Sequence, residues 1–258
     1  MPEVPELAPA DLPLSLRRLW PALRTFVPPA GSFSPAGQWE HTYAVRAVFP
    51  SGPAEIDALA GPGVLRLRKS PTAADTFTLQ VGISPMVGGN SERVEVLITC
   101  AADKLSTPLR WELHSLMLDA QGAPIPATDL REKGELLGAE VRRTRTRTRV
   151  TPVRLPLSAN WCVMEALQRW PADDPSEADF DMLEELQLLR PGQRLAYRRT
   201  VEVPLAAGPL RLHGYEQFGQ GLLPYTYWLD DQRRLLFAIG GLRAYLWQPS
   251  LKMTEVSL

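Results

Sequence analysis

Residues 193–248 decide the fold, and they read QRLAYRRTVEV (193–203), LAAGP (205–209), LRLHGYEQFGQGLLPYTYWL (210–229), DDQ (230–232) and RRLLFAIGGLRAYLWQ (233–248). Apolar and polar residues alternate along the longer pieces, and turn-favouring residues separate them. Such alternation gives a strand one buried face and one wet face. The stretch therefore predicts an antiparallel meander of about four strands.

The first strand of the meander is expected to bury one of its two faces. Leu195, Tyr197, Val201 and Val203 would share this face, interrupted only by Arg199. The residues between them would face the other way, because side chains alternate along a strand.

Three breaks divide the meander. Residues 207–209 and 230–232 are turn formers, and Gly240 with Gly241 marks a third turn or a bulge. Residues 219–224 are expected to form a connection longer and looser than a hairpin turn.

The alternation continues upstream of the meander. It predicts five antiparallel strands in succession, at residues 39–49, 64–69, 77–83, 93–100 and 109–118. A polar connector is expected to follow at residues 123–135.

Three segments have helical spacing instead. Residues 11–26, with a break at Pro21, predict a short N-terminal helix and a second short piece. We expect this region to pack on a sheet edge or barrel mouth, with a membrane-surface or partner helix as the alternative. Residues 158–170 and 176–189 predict two central helices. The apolar face of the second would consist of Phe180, Leu183, Leu186 and Leu189.

The composition is that of a globular protein. The chain has 258 residues, with 45% hydrophobic and 22% charged residues, values that allow a substantial core. A net charge of −1 makes nucleic acid or an anionic membrane an improbable partner on electrostatic grounds. The 25 prolines and 18 glycines divide the chain into short pieces, which favours strands and turns.

The two cysteines, Cys100 and Cys162, exclude a disulfide-rich scaffold and a cysteine-rich metal site. Two buried free thiols are the favoured state, and one disulfide is the alternative. The N-terminus lacks the basic and apolar regions of a signal peptide, and no apolar run reaches the ~20 residues of a membrane span. A cytoplasmic location is therefore expected.

Residues 141–153 read VRRTRTRTRVTPV and form the most unusual stretch. In a single strand, four arginines would lie on one face and the threonines on the other. The arginines are Arg143, Arg145, Arg147 and Arg149. Either water and neighbouring carboxylates surround this face, or it binds an anion or an acidic partner. Aromatic residues do not alternate with these arginines, which argues against single-stranded nucleic acid.

A second group of candidate residues lies in the meander. His213, Tyr215 and Glu216 stand beside flexible glycines, and Tyr227 and Trp228 follow on the next strand. A pocket in a curved sheet combines such apolar walls with a few polar groups. These five residues are therefore candidates for ligand binding. The alternative is a polar outer face on which Glu216 pairs with an arginine.

Established catalytic and cofactor motifs are missing from the sequence. It contains no P-loop, GxGxxG turn, GxSxG elbow or HExxH helix. The three histidines, His41, His114 and His213, are dispersed, which indicates ordinary polar contacts more than a metal site. We therefore predict neither a cofactor nor a metal. Acid–base chemistry by a glutamate, tyrosine or histidine in a pocket is the enzymatic mechanism that the residues permit.

Residues 226–241, TYWLDDQRRLLFAIGG, show a strand that ends in aspartate, turns, and returns as an apolar strand. This pattern resembles the open half-barrel proteins of the LolA/LolB/VioE-like group and related bacterial domains of unknown function. The resemblance implies an antiparallel sheet curled around a hydrophobic cavity and covered by helices, here those near 158–190. LolA-type carriers are made with signal peptides, which this N-terminus does not resemble. Only the architecture is carried over.

Together these patterns predict a mainly β protein of about ten strands, an antiparallel open barrel or β-roll with two central helices and a short N-terminal helix. A closed barrel and two packed sheets are the alternatives. Residues 1–30 would be a loose segment with the short helix, and residues 31–258 a single β domain.

Three functions fit this expectation. The first is a binding or carrier protein that holds an apolar or amphipathic ligand in the curved sheet. The second is a small cofactor-independent enzyme that uses Glu216, His213 or Tyr215. The third is an adaptor that binds an acidic partner through the arginine-rich stretch.

Overall fold

The computed structural model describes residues 8–47, 63–84, 86–87, 90–171, 177–241 and 243–251. Within these residues it contains three helices and sixteen strands. The helices are α1 (Leu14–Arg18), α2 (Trp20–Leu23) and α3 (Asn160–Arg169). The strands are β1 (Trp39–Ala47), β2 (Gly63–Pro71), β3 (Thr76–Ser84), β4 (Met86–Val87), β5 (Asn90–Ala101), β6 (Pro108–Leu118), β7 (Leu130–Leu137), β8 (Glu140–Thr144), β9 (Thr148–Pro152), β10 (Leu157–Ala159), β11 (Ala178–Glu184), β12 (Leu188–Val203), β13 (Leu210–Gly219), β14 (Leu222–Leu229), β15 (Leu235–Gly240) and β16 (Arg243–Trp247).

All strands belong to one sheet whose two ends are β10 and β9. The order is β10-β11-β12-β13-β14-β15-β16-β1-β2-β3-β5-β6-β7-β8-β9, and β4 pairs with β5. The short β10–β11 pair is parallel, and the other described pairs are antiparallel. The mainly β, antiparallel and open architecture is therefore confirmed.

The chain forces this sheet to curl. Fourteen strand spacings of about 4.8 Å would separate its edges by roughly 65 Å if the sheet were flat. However, β9 ends at Pro152 and β10 begins at Leu157, so four residues connect the two edges. An extended chain of that length spans at most about 18 Å between these two residues. The sheet must therefore bend until its edges nearly meet.

Helix α3 fills the space that the curled sheet encloses. The residues from Trp161 to Gln168 are all buried, a burial pattern typical of a helix surrounded by other elements. Its apolar side chains pack against side chains from strands around the sheet, including Tyr43, Phe77 and Leu195. We call the face that packs on α3 the inner face and the opposite one the outer face.

The two N-terminal helices cover part of the outer face. Leu16, Leu19 and Leu23 are fully buried and belong to a second apolar cluster, which includes Trp228 and Phe237 of the meander. The helices are separated at Leu19, and Pro21 lies in the first turn of α2, where a proline fits a helix. The predicted short helix with a second short piece is confirmed, but it lies on the sheet's outer face and not at an edge or mouth.

The predicted faces of the first meander strand are wrong after Tyr197, because β12 contains a β-bulge. The register against β13 shifts between Tyr197 and Arg199. Leu195 and Tyr197 pack with the inner cluster, whereas Val201 and Val203 pack with the outer one. The apparent interruption at Arg199 was therefore the position where an extra residue turns the strand over.

The second predicted central helix is wrong. Residues 178–184 form β11, a turn follows, and Leu188 begins β12. The strand is irregular here, with a register shift between Phe180 and Met182 and positive φ angles at Glu185 and Leu186. As a result, apolar residues spaced three apart in the sequence reach the same core, which is the spacing that also predicts a helix.

Several smaller expectations also differ from the structure. The meander has five strands, because β16 follows Gly241, and the connection from β13 to β14 is a tight one at residues 220–221. Strand β7 occupies the second half of the predicted polar connector. In the segment expected to be loose, residues 1–7 lie outside the described residues.

The expected free thiols are observed. Cys100 on β5 and Cys162 on α3 are buried and form no disulfide, and their Sγ atoms lie 3.8 Å apart, within hydrogen-bond distance for sulfur. Burial raises the pKa of the Cys100 thiol well above its usual range. Both thiols serve as packing groups between the helix and the sheet.

A buried ionic cluster attaches α3 to the sheet. Glu165 is fully buried, and its Oε1 accepts hydrogen bonds from Lys69 Nζ at 2.6 Å and Arg169 Nε at 2.9 Å. The Ser106 hydroxyl donates to the other carboxylate oxygen. Lys69 also donates to the Pro35 carbonyl at 2.8 Å. The carboxylate is thus satisfied on both oxygens, which a buried charge requires.

Replacing Glu165 with alanine is expected to lower the free energy of unfolding by about 3–5 kcal/mol, because Lys69 would remain buried without its carboxylate. Urea denaturation followed by circular dichroism measures this loss. Glu112→Ala is the matched control, since Glu112 pairs with Lys133 at 2.7 Å on the surface. Such exposed pairs contribute about 1 kcal/mol or less. Equal losses in the two variants would contradict an anchoring role for the cluster.

His41 is buried among aromatic rings on β1. Its ring centroid lies 4.4 Å from that of Trp39 and 4.4 Å from that of Trp247. Burial, and then the positive charge of Arg234, lower the pKa of His41 from 6.5 to about 3. The imidazole is therefore neutral in the folded protein over the physiological range.

This shift predicts acid sensitivity. The unfolded chain gains a proton at His41 near pH 6.5, whereas the folded chain does so only near pH 3. The contribution of the neutral His41 to the free energy of unfolding is therefore complete above pH 6.5, and it decreases as the pH falls towards 3. At about pH 4.5 the loss is about 2–3 kcal/mol, since one pKa unit corresponds to about 1.4 kcal/mol.

Denaturation curves between pH 7 and 4 test this expectation. His41→Gln should flatten the pH dependence, whereas His114→Gln should keep it, because His114 is only partly buried and pairs with Asp129 at 2.8 Å. An unchanged slope in His41→Gln would show that other groups cause the acid sensitivity.

Candidate ligand site

Tyr215 and Tyr227 lie on the inner face and are packed in the core. Both are buried, and the Tyr215 hydroxyl donates to the Pro171 carbonyl at 3.0 Å beyond the end of α3. The Tyr227 hydroxyl donates to Gln217 Oε1 at 2.8 Å. Burial raises the pKa of Tyr227 well above its usual range. The Tyr215 hydroxyl therefore joins the end of the helix to the sheet, whereas the Tyr227 hydroxyl links β14 to β13.

Glu216 and Trp228 lie on the outer face. Glu216 accepts a hydrogen bond from Arg198 Nε at 2.9 Å. Trp228 is buried under α1, and its indole Nε1 donates to Ser15 Oγ at 3.2 Å. The sequence pattern therefore combined residues from opposite sides of the sheet.

His213 occupies a third place, near the ends of the meander strands. Its Nδ1 lies 3.0 Å from Thr200 Oγ1 and its Nε2 lies 2.9 Å from Asp231 Oδ1. Thr200 and Asp231 are exposed, and His213 is buried. The contacts connect β12, β13 and the turn after β14. The five candidate residues thus do not converge on one site.

The arginine-rich stretch is a hairpin and not one strand. It forms β8, a turn, and β9, with Arg143 opposite Arg149. Arg143 Nη1 donates to the Gln187 carbonyl at 2.5 Å. Arg145 Nε donates to Glu132 at 2.8 Å, and Arg145 also contacts the Gln187 side chain. Arg147 and Arg149 are exposed. The four arginines therefore divide into two structural ones and two surface ones.

A cavity at one end of the curled sheet is the best candidate site on the inner face. We call it the mouth cavity, and its volume is about 170 Å³. One wall is apolar, formed by Ile83, Val94, Leu113 and Leu130 from β3, β5, β6 and β7. Trp161, the second residue of α3, also lines it. The mouth cavity is the part of the space enclosed by the curled sheet that α3 does not fill.

The other side of the mouth cavity is polar. Glu92 accepts a hydrogen bond from Ser115 at 3.4 Å, and Arg243 Nη1 donates to Glu185 at 2.8 Å. Arg145, with its pair to the buried Glu132, belongs to the same rim. The cavity is therefore amphipathic, with one apolar wall and a rim of paired charges.

Trp161 lines this cavity, and its indole N–H is a hydrogen-bond donor without a partner among the described residues. Its side chain is 2% exposed, and its buried Nε1 has no partner among the described residues. A buried N–H without an acceptor costs about 1–3 kcal/mol, so an acceptor supplied by a ligand would be favourable. The sequence offered no signal for this role, because Trp161 fits the apolar pattern of a core helix.

Neither a metal site nor a membrane-spanning helix is found in the part of the chain that the structure describes. Within the described residues, no group of three or more histidine, cysteine or acidic side chains could hold a metal ion. In the same part of the chain, no helix is long and apolar enough to cross a membrane.

The fold is similar to a crystal structure of a β-barrel-like protein of the domain of unknown function DUF1849 from Brucella abortus. The TM-score is 0.50 at 9% sequence identity, covering 82% of this chain and 95% of that chain. A second similar structure is a DUF1089 family protein from Pseudomonas aeruginosa, with a TM-score of 0.39, 12% identity, and coverage of 82% and 94%. The first likeness shows a barrel-like fold alone.

No protein-family model matches the chain, and no curated protein matches it. The resemblance to LolA/LolB/VioE-like proteins stays a prediction, since neither similar structure is described as one.

Arg145 and Arg147 give a matched test of how the rim is built. Arg145→Ala is expected to lower the free energy of unfolding by about 1–3 kcal/mol, because the 3% exposed side chain of Glu132 loses its cation. Arg147→Ala should change it by about 0.5 kcal/mol or less, since Arg147 is exposed. Urea denaturation of both variants measures the difference. A neutral Arg145→Ala would show that Glu132 does not depend on this pair.

Proposed function

We propose that this protein binds a small amphipathic molecule in the mouth cavity. The observation that carries the proposal is a cavity with one apolar wall that is lined by Trp161, whose indole N–H has no partner among the described residues. Ligand sites typically combine apolar walls with a few polar groups that fix the orientation of the ligand. The mouth cavity has this composition.

The volume limits the size of the ligand. At about 170 Å³, the mouth cavity is close to the apolar cavity of about 150 Å³ that admits benzene in another protein. A single ring or a short branched chain would fit within it. A long acyl chain would have to extend out of the mouth.

The polar groups limit the chemistry of the ligand. Trp161 requires a hydrogen-bond acceptor, such as a carbonyl or carboxylate oxygen. The rim arginines Arg145 and Arg243 already pair with Glu132 and Glu185. The ligand therefore needs one hydrogen-bond acceptor on a compact apolar body. It does not need a high negative charge, because the rim arginines are already paired.

Binding agrees better with the geometry than acid–base catalysis does. Tyr215 is buried on the inner face and Glu216 lies on the outer face, so these two cannot act on one substrate. The described lining of the mouth cavity contains no histidine or tyrosine, and its two carboxylates, Glu92 and Glu185, already accept hydrogen bonds from Ser115 and Arg243. An acidic partner for Arg147 and Arg149 stays a prediction.

Three ring compounds of similar size test the proposal. Benzoate and benzamide carry an acceptor, whereas benzylammonium carries only donors. Ligand-observed NMR titration is expected to give saturable binding of the first two, with a Kd of about 1 mM or tighter. Trp161→Phe should weaken both by about 3- to 10-fold, because one hydrogen bond is lost.

Trp111→Phe is the matched control. Trp111 is equally buried and its Nε1 also lacks a partner among the described residues, but it does not line the mouth cavity. Binding should be unchanged in this variant. The proposed site would be excluded if neither acceptor compound bound saturably. It would also be excluded if both tryptophan variants weakened ligand binding equally.

A further inference from the structure

A larger groove lies on the outer face, between α1 and strands β12–β15. We call it the α1 groove, and its volume is about 440 Å³. Its apolar lining consists of Pro13, Leu14, Leu223, Pro224, Trp228 and Ile239. This volume falls within the range of about 300–1,000 Å³ that is usual for small-molecule sites.

Glycine makes the floor of the α1 groove possible. A Cβ atom on Gly214 would lie 2.5 Å from the Trp228 ring, which is far too close. The indole therefore lies directly against the backbone of β13. The ring occupies the space in which a side chain at position 214 would otherwise stand, beneath the groove.

The β-bulge in β12 concentrates positive charge at this groove. Side chains normally alternate between faces, but the register shift between Tyr197 and Arg199 adds one residue to the strand. Arg198 reaches Glu216 on the outer face, and Arg199 stands opposite Gly214, which also lies on that face. Two consecutive arginines thus line the same groove.

The charges of the lining are not balanced. Arg18 of α1, Arg198 and Arg199 face a single carboxylate, Glu216, and Arg198 is paired with it at 2.9 Å. Among the described residues, no carboxylate forms an ion pair with Arg18 or Arg199. The guanidinium groups of Arg18 and Arg199 therefore remain available for an anion.

We propose that the α1 groove binds a single-chain amphiphile with an anionic head. The head would be bound by Arg18 and Arg199, and the chain would lie along Leu14 and Leu223. Leu14 and Leu223 are 63% and 60% exposed, and the chain would cover them. This site is separate from the mouth cavity and does not depend on the function proposed there.

Isothermal titration with decanoate below its micelle concentration tests the proposal. Arg18→Gln combined with Arg199→Gln should weaken binding by about 5- to 30-fold, because two solvent-exposed ion pairs with the head group are lost. Arg147→Gln combined with Arg149→Gln removes the same charge elsewhere on the surface and should leave the affinity unchanged. Decyltrimethylammonium has a chain of the same length with a cationic head and should not bind measurably.

A second pair of variants keeps the test decisive if the double arginine variant does not fold. Leu223→Asp adds a carboxylate beside the chain and should reduce decanoate binding at least as strongly. Leu137→Asp is its control, since Leu137 is 44% exposed at the other end of the sheet's strand order. Equal behaviour of these two variants would overturn the proposal.

Two further outcomes would also overturn it. Inorganic phosphate that binds as tightly as decanoate would show a simple anion site without a role for the apolar floor. Sedimentation with phosphatidylglycerol vesicles, in the absence of decanoate binding, would show a membrane-surface contact. Trp161→Phe should not affect decanoate binding, which separates this result from the test of the mouth cavity.

Discussion

The connection of the two sheet edges by residues 153–156 is the constraint on which the rest of the structure depends. It bends a very wide sheet into an enclosure, and the interior of this enclosure has to be filled by other parts of the chain. Helix α3 occupies it, and the charges of Glu165, Lys69 and Arg169 fix the helix in place. The mouth cavity is the part of the enclosure that the helix leaves empty. The candidate site is thus a direct result of the sheet's width and its closure.

The β-bulge in β12 connects the inner and outer halves of the molecule. Before it, the strand's apolar residues pack on α3, and after it they pack on the N-terminal helices. One strand therefore contributes to both cores. The same extra residue places Arg198 and Arg199 together on the outer face. A single insertion thus determines both the packing of the N-terminal helices and the charge of the α1 groove.

Local alternation was sufficient to predict the meander and the strands upstream of it, because each of these strands buries one regular face. The alternation of apolar and polar residues was insufficient where strand geometry is irregular or where a charged side chain is buried. Strand β7, LREKGELL, includes the buried Glu132, so no apolar face was visible. The residues of the mouth cavity come from five strands, one helix and two turns that only the curled sheet brings together. No local pattern could therefore have identified Trp161 as a ligand-binding residue.

The open sheet has a further consequence for behaviour at high concentration. Strand β9 forms one edge of the sheet, where backbone groups without a neighbouring strand could template the addition of another chain. Pro152 removes one backbone donor from this edge, and Arg149 places a charge on it. Neighbouring molecules that approach edge to edge would bring like charges together. The arginine-rich hairpin is therefore expected to oppose self-association into extended sheets.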